Sequence, residues 1–212
     1  MKKRETAKSL ETRNRIIKTA EHLFEEIGVE ATTQRKVAEV AGMQVSNVYY
    51  YFSSKSALHR AIIVERIERV IARQDELLTE ARERSADGNA SVADVLFAYA
   101  APRLFEMANT SNRLLLALFS YVESGSGENV DEIYAMGAKQ TKKFIAALSK
   151  VLPELNEIEL KMRLMLLDAT LHGFVRILSH ARDAFPKNIP NETYKEMIMN
   201  YFLNGFSASK TI

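Results

Sequence analysis

Apolar side chains recur every three or four positions along almost the whole chain, and this spacing is typical of amphipathic helices. The first stripe contains Ile16, Ala20, Leu23 and Phe24, and Gly28 follows it as a stop signal. The sequence shows neither the period-two alternation of half-buried strands nor a hairpin turn. The pattern therefore predicts an all-α protein.

Breaks in this pattern divide the chain into nine predicted helices. Thr33 is a natural N-cap for the second helix, and Ser91 with Asp94 has the spacing of a capping box at the start of the fifth. Pro102 lies inside the fifth helix, where a kink or a break is expected. The fourth helix is long, and the helices from the third onward are expected to begin near Val45, Lys55, Ser91, Arg113, Val130, Glu157 and Asn191.

The composition is typical of a folded protein and is compatible with a reducing compartment. Of 212 residues, 47% are hydrophobic and 26% are charged, and there is no Cys for a disulfide or a thiolate metal site. No apolar leader follows the basic start, and no run of about 18 apolar residues could span a bilayer. We expect a soluble, cytoplasmic protein with no membrane partner.

Positive charge is concentrated in the first part of the chain. Residues 1–60 carry eleven Lys or Arg and seven Asp or Glu, a net charge of +4. The remaining residues carry eighteen and twenty, a net charge of −2. A basic N-terminal segment on a mildly acidic body suits an anionic partner such as DNA.

Residues 32–55 contain two short predicted helices separated by Gly42-Met43-Gln44. Small Ala38 permits a close helix crossing, and Gly42 can adopt the left-handed backbone that a tight turn needs. This is the pattern of a helix-turn-helix motif, whose second helix lies in the major groove of DNA.

The segment around this motif resembles the N-terminal domain of the TetR family of transcriptional regulators. The resemblance rests on the helix-one stripe ending in Gly28, on Val37-Ala38-x-x-Ala41-Gly42, on Val48-Tyr49-x-x-Phe52 and on Ser54-Lys55-x-x-Leu58. It implies a three-helix DNA-binding domain joined by a long helix to a larger helical effector-binding and dimerisation domain. The expected division is a basic arm at 1–9, the DNA-binding domain at 10–70 with the motif at 33–52, and the helical domain at 71–212.

The resemblance also implies roles for individual side chains. The positions that face base edges are Val45, Ser46, Tyr49 and Tyr50, and the positions that hold phosphates are Thr33, Gln34, Gln44, Asn47, Tyr51 and Lys55. The tyrosines offer aromatic surface to thymine methyls, whereas the second helix has no Arg or Lys for bidentate guanine recognition. Gln44 departs from the small capping residue usual in the family, so this helix start is expected to be loosely capped or to touch DNA itself.

The body is expected to form a homodimer and to bind a small, largely apolar effector. One recognition helix reads too few bases, so a twofold dimer on a near-palindromic operator is expected. The apolar excess of the last two helices predicts an interface at Leu167, Leu171, Leu178, Met197 and Tyr201. Flexible and aromatic side chains predict a pocket at Tyr99, Phe119, Met165, His172 and Phe174. Asp168, His172 and Arg176 form one stripe that fits a solvated edge, an effector contact or an interface.

Nothing in the sequence indicates catalysis. The four His residues form no metal-binding or di-iron pattern, and no nucleophile elbow, phosphate-binding loop or dinucleotide fingerprint occurs. The function expected is a ligand-responsive repressor that binds double-stranded DNA, with no enzyme activity, cofactor or metal. The alternative is a helical ligand-binding or adaptor protein whose helix-turn-helix has lost its DNA role.

Overall fold

A computed structural model describes residues 7–85, 88, 90–108, 110–123, 130–180 and 191–207. Within these ranges the fold is all-α, as expected, and no strand is present. The helices are α1 (Ala7–Glu26), α2 (Gln34–Val40), α3 (Val45–Tyr51), α4 (Lys55–Arg84), α5 (Val92–Ala108), α6 (Asn112–Glu123), α7 (Val130–Val151), α8 (Glu157–His180) and α9 (Asn191–Ser207). None of these helices is long and apolar enough to cross a membrane.

Local capping chemistry explains where several helices begin. The Thr33 hydroxyl accepts a hydrogen bond from the Lys36 backbone N–H (3.1 Å) at the start of α2. At α5 the predicted capping box is present: the Ser91 hydroxyl accepts from the Asp94 N–H, and the Asp94 carboxylate accepts from the Ser91 N–H, both at 3.1 Å. Helix α5 continues through Pro102 and does not break there.

The described residues of 1–67 and 110–131 form one compact unit, here called the reader unit. Its buried core joins α1, α2, α3 and the first turns of α4, with Ile16, Phe24, Val48 and Ile62 among its members. Helix α6 belongs to the same unit, because Leu114 is buried in this core and Leu118 packs against it.

Arg66 ties three elements of the reader unit together. Its guanidinium pairs with Glu21 on α1 and donates to the Thr110 hydroxyl before α6, each at 2.5 Å, and its side chain is only 11% exposed. Burial strengthens such charged hydrogen bonds, and an unpaired Arg would be costly at this position.

The described residues of 68–109 and 132–212 form a second compact unit, here called the body unit. Its core contains Leu96 and Tyr99 from α5, Phe144 and Leu148 from α7, an inward stripe of α8, and Phe202 from α9. The α8 stripe consists of Leu160, Leu164, Leu167 and Leu171, whose spacing places them on one side of the helix.

Candidate nucleic-acid interface and effector site

A turn of four residues, 41–44, joins α2 to α3. Gly42 has a φ of 64°, the left-handed conformation expected from the sequence, and the Met43 N–H donates to the Ala38 carbonyl at 3.0 Å. Val37 and Ala38 on α2 and Val48 on α3 are buried against α1. This anchoring leaves the opposite side of α3 free of the core.

The outward side of α3 carries the residues that were expected to face DNA. Tyr50 is 77% exposed, Tyr49 is 54% exposed and Val45 is 40% exposed. Ser46 and Asn47 are also exposed. Two large aromatic rings in solvent on a seven-residue helix form a surface that the protein's own core does not use.

The start of α3 is weakly capped, as the departure at Gln44 suggested. Gln44 occupies the N-cap position with an extended backbone, but its side chain makes no capping hydrogen bond. The side chain is exposed. Its amide is therefore available to a partner outside the chain.

Gln34, which was expected to bind a phosphate, is instead buried within the reader unit. Its side chain is buried, and its amide nitrogen donates to the Phe52 carbonyl at 2.6 Å. This bond satisfies the carbonyl at the C-cap of α3 and ties the first residue of α2 to it. Gln34 therefore supports the geometry of the motif, and its side chain does not face solvent.

Lys55 and Tyr51 also use their polar groups within the protein. The Lys55 ammonium donates to the carbonyls of Val29 (3.1 Å) and Glu30 (3.4 Å) and lies 3.6 Å from the Glu30 carboxylate. The Tyr51 hydroxyl lies 3.1 Å from the Ser9 hydroxyl on α1. Both side chains are partly exposed; Lys55 joins the start of α4 to the loop after α1, and Tyr51 joins the end of α3 to the start of α1.

Arg35 is a candidate that the sequence analysis missed. It follows the exposed Thr33 by two positions and is exposed on α2. An exposed guanidinium at the edge of a helix-turn-helix is a suitable phosphate ligand. Its only sequence signal was its position beside Thr33 and Gln34.

A buried histidine lies behind this surface. The ring of His59 on α4 packs edge to face with Phe24 of α1 (centroids 5.2 Å apart) and at a tilt against Tyr121 of α6 (4.6 Å). Burial and, to a smaller extent, the nearby Lys55 charge lower the pKa of His59 to about 4, partly opposed by the Glu30 carboxylate. His59 is therefore neutral at pH 7 and serves as an aromatic packing residue.

In the body unit a buried polar cluster surrounds Tyr99. Its hydroxyl donates to Asp168 Oδ2 at 2.8 Å, and its backbone carbonyl accepts from Gln74 (2.6 Å) and Arg103 (2.7 Å). The Arg103 guanidinium carbon lies 4.1 Å from the centre of the Tyr99 ring. Burial raises the pKa of Tyr99 to about 12, partly opposed by the Arg103 charge, so its hydroxyl stays protonated.

Two oxygens of this cluster lack a hydrogen-bond donor among the described residues. They are Gln74 Oε1 and Asp168 Oδ1, and both are buried. Arg103 Nε is 3.9 Å from Asp168 Oδ1, too long for a hydrogen bond. The Asp168 side chain is 31% exposed overall although its Oδ1 is buried, so Asp168 is a partly buried residue, while His172 is exposed and contacts the Asp168 carbonyl.

The outer side of α8 and α9 is apolar and exposed. Leu166 is 64% and Met165 54% exposed, so Met165 is not a pocket residue in the described conformation. Leu167 and Leu171 were expected at an interface, but each is 1% exposed in the core of the body unit, which corrects that expectation. Exposed members of the outer side are Ile158, Met162, Met165, Leu166, Ile177, Met197 and Tyr201. The side chains of Phe119, Phe174, Arg176 and Leu178 lie outside the described residues.

No group of three or more His, Asp or Glu side chains is arranged to hold a metal within the part of the chain that the structure describes. Three independent features remain: the exposed side of α3, the polar cluster at Tyr99 and the apolar side of α8 and α9. The first defines a helix-turn-helix of the kind that reads duplex DNA.

Comparison with known proteins shows what this segment is similar to. Residues 16–62 match the sequence model described as bacterial regulatory proteins, tetR family. The segment is 36% identical over 63 residues to the HTH-type transcriptional regulator TtgR of Pseudomonas putida and 34% identical over 62 residues to UidR of Escherichia coli. The TetR-family resemblance of the N-terminal domain is therefore confirmed.

These matches cover only part of each protein. They span 30% of this chain and 30% of TtgR, and 29% of this chain and 32% of UidR. The likeness in fold extends further: the TetR-family regulator PfmR of Thermus thermophilus superposes with a TM-score of 0.63 over 93% of this chain and 100% of its own. At 18% identity this similarity shows the fold alone.

Proposed function

We propose that the protein is a sequence-specific transcription regulator that binds a near-palindromic DNA operator as a homodimer in the cytoplasm. The observation that carries the proposal is the exposed Tyr49 and Tyr50 pair on a recognition helix whose other side is fixed in the reader core. Aromatic surface with hydroxyls suits a wet groove that displays thymine methyls and phosphates. The tetR-family match supports the same assignment.

The structure refines which side chains we assign to DNA. Val45, Ser46, Tyr49 and Tyr50 remain the proposed contacts to base edges. Exposed side chains supply the proposed phosphate contacts: Thr33, Arg35, Gln44 and Asn47. Gln34, Tyr51 and Lys55 are assigned to holding the motif in shape, because each already hydrogen-bonds within the reader unit.

The assignment is tested by a mobility shift with the region upstream of the protein's own gene. A specific complex should persist at salt concentrations that release a random duplex of equal length. Protection of two half-sites with centres about 34–36 Å apart would support the dimer. If the protein bound neither duplex in dilute buffer, the alternative of a helical adaptor with an inactive helix-turn-helix would replace this proposal.

For the dimer we propose the outward apolar side of α8 and α9. Met162 lies four residues after Ile158, and Met165 and Leu166 lie three and four residues after Met162, so these side chains form one stripe along α8. A contiguous apolar stripe in water marks a surface for another apolar surface. A second copy of the same stripe, related by a twofold axis, would cover it.

For regulation we propose that a small effector binds the body unit and relieves repression. Gln74 Oε1 and Asp168 Oδ1 are buried acceptors that receive no hydrogen bond from the described part of the chain, and leaving such groups unpaired costs free energy. An effector with an apolar frame and at least one N–H or O–H donor would satisfy them. It would release DNA only by binding one conformational state of the protein more tightly than the other.

The need for a hydrogen-bond donor can be tested with matched pairs of small aromatic molecules. One member of each pair carries an amine or a hydroxyl at the position where the other carries a methyl. Donor-bearing members should raise the melting temperature of the protein, and Asp168→Asn should weaken that shift. The exposed Asp131→Asn variant is the control. Equal shifts from donor and methyl compounds would leave the cluster as a structural network only.

A further inference from the structure

The first turns of α1 contact the last turn of the recognition helix. Ser9 Oγ lies 3.1 Å from the Tyr51 hydroxyl, although the two residues are 42 positions apart. One turn further along α1, the Arg13 guanidinium carbon lies 5.6 Å from the centre of the Phe52 ring. These two contacts place the start of α1 beside the end of α3, within one compact unit.

Tyr51 in turn packs against Tyr50, the exposed tyrosine that precedes it in the sequence. The rings of Tyr50 and Tyr51 pack edge to face, with centroids 5.1 Å apart and an interplanar angle of 89°. Tyr51 is partly buried, whereas Tyr50 is 77% exposed. An exposed ring next to a fixed one has fewer accessible orientations than a ring surrounded by water alone.

We propose that Ser9 is a specificity-determining positioning residue of the DNA reader. Its hydroxyl fixes the Tyr51 ring, and that ring sets the direction in which Tyr50 meets the bases. This inference rests on the proposed function, and it assigns part of the base preference to a residue outside the helix-turn-helix. Tyr51 acts through Tyr50 and is not itself a phosphate ligand.

The physical basis is preorganisation. A side chain that must be ordered on binding loses rotamer freedom, and this loss lowers affinity wherever the ordered position is required. On the operator Tyr50 must meet one base edge in one orientation. On random DNA, where backbone contacts dominate, its orientation matters little. Loss of the Ser9 contact should therefore lower operator affinity and leave random binding unchanged.

The experiment compares Ser9→Ala, Tyr51→Phe and the double variant on the operator and on a random duplex over a range of salt. Each single change removes one hydroxyl of the same hydrogen bond. We expect each to weaken operator binding by about 3- to 10-fold, with no further loss in the double variant. Random binding and the salt slope should stay at wild-type values.

Thr12→Ala is the matched control. Thr12 lies on the same helix and its hydroxyl donates to the Lys8 carbonyl at 2.9 Å, a bond local to α1. The variant should bind both duplexes as the wild type does. An equal loss from Thr12→Ala would mean that α1 is simply weakened. A salt slope reduced by about one in Tyr51→Phe would make Tyr51 a phosphate ligand. Either result overturns the proposal.

A second readout does not need DNA. Carbon relaxation of labelled tyrosine rings in the free protein reports the order of Tyr50. Ser9→Ala should increase the ring motion of Tyr50, and Thr12→Ala should not. Unchanged Tyr50 order in Ser9→Ala overturns the positioning role by itself. A wild-type protein that binds no duplex would overturn the proposed function, whatever the tyrosine data show.

Discussion

Helix α3 of the reader unit and helix α8 of the body unit both bury one side and leave large apolar side chains on the other. The exposed side chains differ in chemistry. Those of α3 include Tyr49 and Tyr50, each with a hydroxyl at the end of its ring, whereas those of α8 are Ile, Met and Leu without a polar atom that needs water. A tyrosine suits a wet, charged surface, and an aliphatic stripe suits a dry one. The exposed fraction of the side chains alone would not distinguish a proposed DNA-binding surface from a proposed dimer surface.

The two helices also differ in how they are held. The seven residues of α3 depend on neighbours, through the Gln34 bond to Phe52 and the Ser9 bond to Tyr51. Helix α8 has 24 residues and a continuous inward stripe in the body core. A short helix gains little stability from its own hydrogen bonds, so its orientation must come from tertiary contacts. We therefore expect α3 to be sensitive to distant substitutions and α8 to be sensitive mainly to changes on its own surface.

The largest expected effect is on the apolar stripe. Leu166→Glu would place a carboxylate in the proposed dimer contact, where it has no partner, and should convert the dimer to a monomer. Because a monomer has one reader unit instead of two, its affinity for the operator should be lower by about 100-fold or more. Sedimentation and a mobility shift measure the two effects. Tyr134→Glu, on the exposed side of α7, is the control, and a dimeric Leu166→Glu protein would remove the stripe from the proposed interface.

The next effect concerns the chemistry of α3. Tyr50→Ala removes a proposed aromatic contact to the bases and should weaken operator binding by about tenfold or more while leaving random DNA almost unaffected. Competition between operator and random duplexes measures the ratio. Tyr134→Ala provides an exposed tyrosine elsewhere for comparison. A parallel loss on both duplexes would show that Tyr50 does not read sequence.

Acid should weaken the core behind α3 through His59. Its pKa falls from 6.5 to about 4 on folding, so the unfolded chain takes up a proton first as the pH drops. The stabilising effect of keeping His59 neutral is full above pH 6.5 and is lost as the pH falls to about 4. Between pH 7 and pH 4.5 it should amount to about 2 kcal/mol.

His59→Gln removes this titration. Urea unfolding at the two pH values should therefore show a smaller difference for the variant than for the wild type. His22→Gln changes an exposed histidine on α1 and serves as the matched control. If all three proteins lose the same free energy of unfolding on acidification, other groups are responsible.

The smallest effect is at the turn between α2 and α3. Gly42→Ala places a side chain in a left-handed backbone, which costs about 1 kcal/mol even though no atom lies within 4 Å of the added Cβ. Gly137→Ala lies inside α7, also with open space, and should instead stabilise by up to about 1 kcal/mol. Urea denaturation of both variants gives the sign. A stabilising Gly42→Ala would contradict the φ of 64°.

Local patterns were sufficient for the helices and for the reader motif. Capping by Ser91 and Asp94, the left-handed turn at Gly42 and the weak cap at Gln44 depend on neighbours a few residues away, and the structure agrees with each. The same local pattern matched the family over residues 16–62. Short-range chemistry is readable because the partners are adjacent in the chain.

Contacts between residues that lie far apart in the sequence could not be predicted in this way. Helix α8 is apolar around much of its circumference, so the sequence did not show that Leu167 and Leu171 point inward and Met165 outward. Gln34 and Lys55 are polar residues in a polar segment, and only the fold reveals their carbonyl partners 18 and 26 positions away. Tyr99 and Asp168 are 69 positions apart in the sequence, so only the fold shows that Asp168 accepts a hydrogen bond from Tyr99.

Because α6 belongs to the reader unit, this unit is built from two separate stretches of the chain. The chain passes between its two units after Ile67, before Thr110 and after Asp131, so no single cut releases a complete reader. A fragment ending near residue 70 would lack Leu114 and would open the cluster around Phe24 and Leu58 to water. A transplant of this DNA specificity onto another scaffold must therefore carry two separate stretches of sequence, not one.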